Sequence, residues 1–426
     1  MRRLPTRYAL RLPEPLQALA LPADPTPILP TVPAPVAAAG LLPSSAANQL
    51  NPTPAAPPSP TPQPVAGQAS EETAGEVQAT SESTALPPTP TARPIPVSAR
   101  MEGFSHIYQE WNNCGPATLA MSLTYFGLNP GQQEVGRALR PNQEDRNVSA
   151  DEMAGYVNTL PDTLSDLKAI SRANGDRGLL QSLLANNVPV IIEVGIDPPG
   201  EYRWLGWYGH YLLPVAYDDD LEQFWVYDSW LGTSEVPQTN ADPNGRVMSY
   251  DELEAYWSQF NRNFVVLYRP DQEALVHELL GSALDDKIMW ADSLARAQLD
   301  AARNPNNAFY WFNMGTSYNA LGKYDEAVLA YDQARAIGLP WRMLWYQFGP
   351  YLAYYETGRF DDVVLLAETT LEDRPYFEES YYYLGLAQAA LGNEDSARQN
   401  LENAINFNPN FAPAAEALAR LAPQDG

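Results

Sequence analysis

One cysteine supplies the only thiol in a chain of 426 residues. Cys114 lies in the stretch QEWNNCGPATLAMSLTYFG, where Pro116 follows it closely and apolar side chains recur at helical spacing up to Gly127. This pattern predicts a helix that begins at Cys114. The positive end of a helix dipole and its free backbone N–H groups favour a thiolate. The sequence therefore predicts a nucleophile here, against the alternative of a small buried apolar residue.

Two further residues complete a thiol-based reaction centre. A thiolate needs a base that takes and returns its proton, and the base needs a partner that fixes its orientation. His210 opens a predicted strand, HYLLPVAY, and Asp228 closes the next one, QFWVYD. A short acidic turn joins these strands, so we expect an antiparallel hairpin that brings the two side chains together. We predict that Cys114, His210 and Asp228 form a triad.

Gln109 is the predicted donor to the oxyanion of the tetrahedral intermediate. It lies five residues before Cys114 and could aim its side-chain NH₂ at the developing charge, together with the Cys114 backbone N–H. The chain's other histidines, His106 and His277, are predicted to have no catalytic role. The acidic run at 218–220 is expected to be a solvated turn, because it lacks the oxygen spacing of a calcium loop. With one cysteine, CxxC-type metal sites are excluded, and we expect no metal or organic cofactor.

These motifs resemble those of a known family. Gln-x4-Cys-Gly-Pro-Ala, a following Leu-x-Tyr-Phe-Gly, a Gly-His-Tyr about a hundred residues later and a Tyr-Asp 18 residues beyond it are similar to the bacteriocin-processing, double-glycine-leader type of cysteine peptidase and its soluble relatives in the papain-like group. The resemblance implies a papain-like α+β fold, with the cysteine helix packed on an antiparallel sheet. It implies the same roles for Cys114, His210, Asp228 and Gln109.

The sequence departs from this family in two respects. The Gln109-to-Cys114 spacing is one residue shorter than in papain-like enzymes. Leader-processing members are usually fused to a membrane-spanning exporter, whereas no stretch here approaches the ~20 apolar residues of a membrane helix. The resemblance therefore does not imply leader cleavage during export.

The composition divides the chain into three parts. Residues 1–100 hold 22 of the 40 prolines and show no sustained apolar period, which predicts a disordered Pro/Thr/Ala-rich tether. Residues 101–270 contain the motifs above and are predicted to form the papain-like domain. Such a tether is common on exported or surface proteins, which favours an extracytoplasmic location over the cytoplasm. The arginine-rich start lacks the apolar core of a signal peptide.

Residues 271–426 are predicted to form an all-α solenoid. Pro305, Pro340, Pro375 and Pro409 follow one another at intervals of 35, 35 and 34 residues, a period typical of helical repeats. The copy from Ala308 to Pro340 resembles the tetratricopeptide (TPR) pattern, and the stretch holds about four units, of which the first is degenerate. Such repeats indicate a protein or peptide partner.

The charge of the chain limits the classes of partner. The net charge of −26 falls almost entirely after residue 100, because the first hundred residues contain six arginines and six acidic residues. A strongly acidic surface repels phosphate backbones and anionic bilayers. Nucleic acid is therefore not expected as a partner, whereas basic peptides are compatible.

The sequence as a whole predicts a cysteine peptidase that hydrolyses peptide or amide bonds and recruits substrate or partner through the repeats. Two alternatives use the same fold. One is a scaffold whose papain-like domain has lost turnover, and the other is an acyl transferase that delivers the acyl group to an amine. We expect small-peptide hydrolysis to be independent of residues 271–426.

Overall fold

The computed structural model describes residues 28–43, 95–142, 144, 147–161, 166–197, 206–233 and 244–421. Most of the predicted N-terminal tether lies outside these residues. Within them, an α+β unit with helices packed on an antiparallel sheet precedes an all-helical region. This confirms the predicted fold class. None of the helices in these ranges is long and apolar enough to cross a membrane.

Seven strands of the described residues form one antiparallel sheet. Their order is β2-β7-β3-β4-β5-β6, and β1 pairs with β4. β4 and β5 form the predicted hairpin, in which Leu212 lies opposite Asp228. The bounds are β1 Ser98–Arg100, β2 Lys168–Arg172, β3 Val190–Ile196, β4 Tyr208–Asp218, β5 Gln223–Asp228, β6 Arg246–Ser249 and β7 Phe264–Tyr268.

Helices cover both faces of this sheet. Because side chains alternate along a strand, Ile191 packs with the cysteine helix on one face, whereas Ile192 packs with Leu183 on the other. The acidic turn after β4 is held by Asp218, whose Oδ1 accepts the backbone N–H groups of Asp220 and Leu221 at 3.0 and 3.1 Å. The helices of this unit are α1 Cys114–Thr124, α2 Gln132–Leu139, α3 Ala150–Asn158, α4 Arg177–Ala185 and α5 Tyr250–Trp257.

The all-helical region consists of antiparallel pairs. At the centre of one pair, a Cβ built on Gly315 would approach the Tyr331 ring to 2.6 Å, so only glycine allows these two helices to pack this closely. A 3-10 helix at Trp341–Trp345 joins two pairs. The helices are α6 Glu273–Leu280, α7 Asp286–Arg303, α8 Ala308–Ala320, α9 Tyr324–Ile337, α10 Gly349–Glu356, α11 Phe360–Asp373, α12 Glu378–Ala390, α13 Glu394–Phe407 and α14 Ala412–Arg420.

Residues 28–43 depart from the predicted disorder, because they pack against the repeats. The Leu29 backbone N–H donates to the Leu339 carbonyl at 2.9 Å, and Arg335 Nε donates to the Pro30 carbonyl at 2.9 Å. Leu29 is buried in the same apolar cluster as the repeats. Composition alone missed this segment, because its ordering depends on a surface formed some three hundred residues later.

The α+β unit and the repeats share one interface. Trp207 is buried between Phe260 of its own unit and Phe309 of the repeats, with ring centroids 5.7 and 5.5 Å apart. Arg342 Nη1 donates to the Trp207 carbonyl at 2.9 Å. Removal of residues 271–426 would expose this aromatic surface to water. The packing therefore argues against the expectation that the first unit works independently.

Candidate active site

Cys114 is the first residue of α1 and is partly exposed. The preceding N-cap residue, Asn113, makes no side-chain hydrogen bond to the helix and instead donates from Nδ2 to Gln132 Oε1 at 2.8 Å. The N-cap side chain therefore does not occupy the free N–H groups of the first turn. These donors remain available beside the thiol.

Gly115 allows a neighbouring loop to approach the start of this helix. A Cβ at this position would lie 2.2 Å from Val148 Cγ2 and 3.5 Å from the Tyr211 ring. Any other residue would push the loop or the helix away, so the Cys-Gly pair of the motif has a steric cause. The loop approaches from the side of α3, where Tyr211 Oη donates to the Val148 carbonyl at 2.8 Å.

His210 lies between the thiol and a carboxylate, as the hairpin predicts. Its Nε2 is 2.8 Å from Asp228 Oδ1, and both residues are buried. Cys114 is close enough to the imidazole to raise its pKa. Because Nε2 faces Asp228, Nδ1 is the ring nitrogen that remains for the thiol. The Trp230 ring packs edge-on against the imidazole, with the two ring centroids 6.4 Å apart.

Asp228 is held by the turn that follows β5. Its Oδ1 accepts the backbone N–H groups of Trp230 and Leu231 at 2.8 and 2.9 Å, and Arg246 Nη1 lies 3.6 Å from Oδ2. Burial alone would raise the pKa of Asp228, but His210, Arg246 and the Leu231 N–H lower it to about 2. The carboxylate is therefore ionised and fixed toward the imidazole.

The charge of Asp228 controls the protonation of its partner. Burial alone would lower the pKa of His210, but Asp228 and, to a smaller extent, Cys114 raise it to about 10. The imidazole is therefore protonated at neutral pH and can pair with a thiolate. A thiolate–imidazolium pair is the reactive state of a cysteine activated by a histidine.

We expect His210 to remain protonated from about pH 5 to about pH 8, because its raised pKa lies above this range. Two-dimensional NMR of ¹³C-histidine-labelled protein can follow the three imidazoles, with the exposed His277 as internal reference. In Asp228→Asn, the His210 signal should titrate at lower pH than in the wild type. A wild-type His210 signal that titrates near the ordinary value of 6.5 would contradict this prediction.

Gln109 lies beside the triad. Its backbone N–H donates to the Ser229 carbonyl at 2.7 Å, and its Oε1 accepts from Ser229 Oγ at 2.9 Å. Because Ser229 follows Asp228 directly, these bonds fix Gln109 close to the reaction centre. The amide is oriented by its oxygen, which leaves Nε2 as its side-chain donor.

Two residues near the centre were not predicted from the sequence. His106 Nε2 lies 2.8 Å from the Asp228 carbonyl oxygen, which can only accept, so this nitrogen carries the proton. Burial lowers the pKa of His106, which agrees with a neutral donor. Arg246 reaches the same aspartate from β6. His106 had a weak signal in its position shortly before Gln109, whereas nothing in the sequence indicated Arg246.

Tyr346, which follows the 3-10 helix of the repeats, also reaches the centre. Its ring atoms would lie 3.0 and 3.1 Å from a Cβ on Gly209, the residue before His210. Burial and the nearby charge of Cys114 raise the pKa of this phenol well above its usual value. The repeats thus contribute one wall of the site.

Among the described residues, no group of three or more His, Cys, Asp or Glu side chains is placed to hold a metal ion. The predicted site residues that the structure brings together are Cys114, His210 and Asp228, with Gln109 adjacent through Ser229. The exposed His277 lies in α6, outside this group. The arrangement can stabilise a thiolate, orient an imidazolium and offer amide donors at the thiol.

Three stretches of the chain match protein-family models. Residues 101–264 match the Peptidase_C39 like family, and residues 310–334 and 379–410 match tetratricopeptide repeat models. No curated protein sequence matches the chain significantly. These matches confirm the predicted order of a peptidase-like domain followed by TPR repeats.

Solved structures show similar parts. The peptidase domain of Streptococcus ComA, described as a bi-functional ABC transporter involved in a quorum sensing pathway, is 20% identical, covers 39% of this chain and 98% of its own, and gives a TM-score of 0.26. Xylellain, a cysteine protease from Xylella fastidiosa, is 14% identical over 41% of this chain and 87% of its own, with a TM-score of 0.29. MamA is 17% identical, covers 32% of this chain and 78% of its own, and also gives a TM-score of 0.29.

Proposed function

The chain carries a Peptidase_C39-like domain followed by TPR repeats, and on this premise we propose that it is a thiol-dependent hydrolase of peptide or amide bonds. Cys114 is the proposed nucleophile, His210 the acid and base, Asp228 the orienting carboxylate and Gln109 an oxyanion donor. The repeats are proposed to bind the substrate or a protein partner. No metal or organic cofactor takes part in the proposed reaction.

The observation that carries this proposal is the position of His210 between two partners. Its Nε2 lies 2.8 Å from Asp228 Oδ1, and Cys114 is close enough to raise its pKa. In the acylation step, the Cys114 thiolate attacks the carbonyl carbon and a C–S bond forms. The C–N bond then breaks as the imidazolium gives its proton to the leaving amine. The amine departs and a thioester remains on Cys114.

The oxyanion that forms during the attack needs donors at the thiol. The proposed donors are the Cys114 backbone N–H at the start of α1 and Nε2 of Gln109. The bond from Ser229 Oγ to Gln109 Oε1 supports this role, because it sets the orientation of the amide. In the deacylation step, His210 takes a proton from water, the hydroxide attacks the thioester, and the carboxylic acid leaves as the C–S bond breaks.

Digestion of a pooled peptide library by the full chain, read by mass spectrometry, tests the proposal. We expect the wild type to generate new peptide termini and Cys114→Ala to generate none, because the methyl group of alanine cannot act as a nucleophile. Equal cleavage by both proteins would overturn the proposal. Repeating the digestion with an added primary amine distinguishes acyl transfer, which would give amine adducts in place of free carboxylates.

Selective alkylation tests the nucleophile independently of substrate. We expect iodoacetamide to label Cys114 at mildly acidic pH faster than it labels a free thiol in a short peptide, because the imidazolium of His210 stabilises the thiolate. His210→Ala should lose this advantage, whereas His277→Ala should retain it. Equal labelling rates for the protein and the peptide would contradict a thiolate–imidazolium pair.

A further inference from the structure

A cavity lies between the peptidase-like domain and the repeats. Its volume is about 470 Å³. The domain contributes residues around Arg140 and Glu152, and the repeats contribute Glu379, Tyr382 and Phe411. Neither part of the chain forms this cavity alone, so its contents depend on both.

Among the described residues, three carboxylates and one guanidinium meet where Arg140 contacts the repeats. Its Nη1 lies 2.6 Å from Glu378 Oε1 and 3.1 Å from Glu379 Oε1, and its Nη2 lies 3.3 Å from Glu152 Oε2. One guanidinium thus faces three carboxylates. Glu378 and Glu379 are 0% and 7% exposed, so water screens their charges weakly.

One carboxylate oxygen at the cavity has no partner. Glu379 lines the cavity, and its Oε2 is buried without a hydrogen bond. A buried charge that is incompletely paired is costly, and a cationic group in the cavity would supply the missing donor. Burial raises the pKa of Glu379 to about 7, with Arg140 opposing and Glu378 reinforcing the shift.

The remaining lining suits the same kind of ligand. Tyr382, Tyr383 and Phe411 present aromatic rings in the same cavity, and aromatic faces attract ammonium and guanidinium ions. The chain's net charge of −26 also favours the approach of cations. Shape, aromatic lining and the unpaired oxygen therefore point to a side chain with an apolar stem and a positive end.

The cavity is connected to the reaction centre through Tyr346. This residue lines the cavity and also packs against Gly209, directly before His210. A peptide whose side chain enters the cavity would thus run along Tyr346 toward Cys114. Val148 also lines the cavity, and its Cγ2 would lie 2.2 Å from a Cβ on Gly115, the residue after Cys114.

We propose that this cavity is a specificity pocket for a lysine or arginine side chain of the substrate peptide, with Glu379 as the counter-ion. This inference rests on the proposed hydrolase activity, because it takes the bound peptide to be a substrate. Recognition of the cation itself does not require turnover. Its test can therefore be made on a protein that cannot react.

The test measures peptide binding to the full-length Cys114→Ala chain. Two fluorescein-labelled decapeptide pools are used, identical except for lysine or norleucine at one fixed central position. We expect the lysine pool to bind at least about tenfold more tightly, because norleucine fills the same space without the charge. Adding Glu379→Gln should remove most of this difference.

Glu402→Gln is the matched control, because it removes one negative charge from an exposed position on α13. It should leave the preference for lysine unchanged, which separates a local counter-ion from the general acidity of the chain. Equal binding of both pools, binding of neither pool, or an unchanged preference in Glu379→Gln would each overturn the specificity pocket. If the wild-type chain cleaved no library peptide, the proposed hydrolase activity would be rejected, but the preference for lysine in the binding test would remain valid.

Discussion

Replacement of His210 by alanine is expected to lower kcat/KM on a cleaved peptide by ~10⁴-fold or more, by comparison with other nucleophile–histidine pairs. Without the imidazole, the thiol has no base and the leaving amine has no acid. A continuous assay with a fluorogenic peptide chosen from the library digestion measures the loss. His277→Ala, an exposed histidine on α6, should keep wild-type kinetics and controls for the loss of a histidine.

The triad also makes a prediction about combined substitutions. Residues that act as one unit show strongly non-additive losses, so Cys114→Ala/His210→Ala should be no slower than Cys114→Ala alone. Asp228→Asn should lower kcat/KM less than His210→Ala, because the imidazole is still present but loses the charge that holds it protonated. A His210→Ala variant with more than a tenth of wild-type kcat/KM would rule out this residue as the acid and base.

Substitution of Arg140 by methionine is expected to lower the free energy of unfolding by about 3–5 kcal/mol, the usual loss when one partner of a buried ion pair is removed. Methionine keeps the apolar stem but leaves Glu378 and Glu379 buried without their guanidinium. Urea unfolding followed by tryptophan fluorescence measures the change.

Arg269→Met is the matched control for this prediction. Arg269 pairs with Asp166 at 3.1 Å, but these side chains are 45% and 61% exposed, and exposed pairs contribute only about 0–1 kcal/mol. Arg140 lowers the pKa of Glu379, so its removal shifts protonation of that group to higher pH. The loss of stability in Arg140→Met should therefore be larger at pH 8 than at pH 6. Equal losses in the two variants would show that the buried pair contributes no more than an exposed one.

Within the proposed reaction centre, short-range rules place His210 beside Asp228. Pro116 lies in the first turn of the cysteine helix, and Gly127 follows its end. A short turn joins the strands that hold His210 and Asp228. Once the hairpin forms, Asp228 lies opposite Leu212, two residues from the histidine. Local sequence therefore determines the distance between base and orienting carboxylate.

The walls of the site could not be predicted in the same way. Tyr346 reaches Gly209, and Arg140 reaches Glu378, only after the repeats pack on the first domain. Helical periodicity shows that a residue faces a neighbour but does not identify the neighbour. The period of the repeats correctly indicated a solenoid and, for the same reason, suggested a module independent of the domain before it.

The interface around Trp207 has a consequence for the order in which the chain is made. Synthesis proceeds from the N-terminus, so Trp207 and Phe260 leave the ribosome before Phe309 and Tyr346 exist to cover them. The interval is longer for Leu29, because its backbone N–H donates to the carbonyl of Leu339, which is made much later. A nascent chain released before the repeats are made would therefore expose this aromatic surface to water.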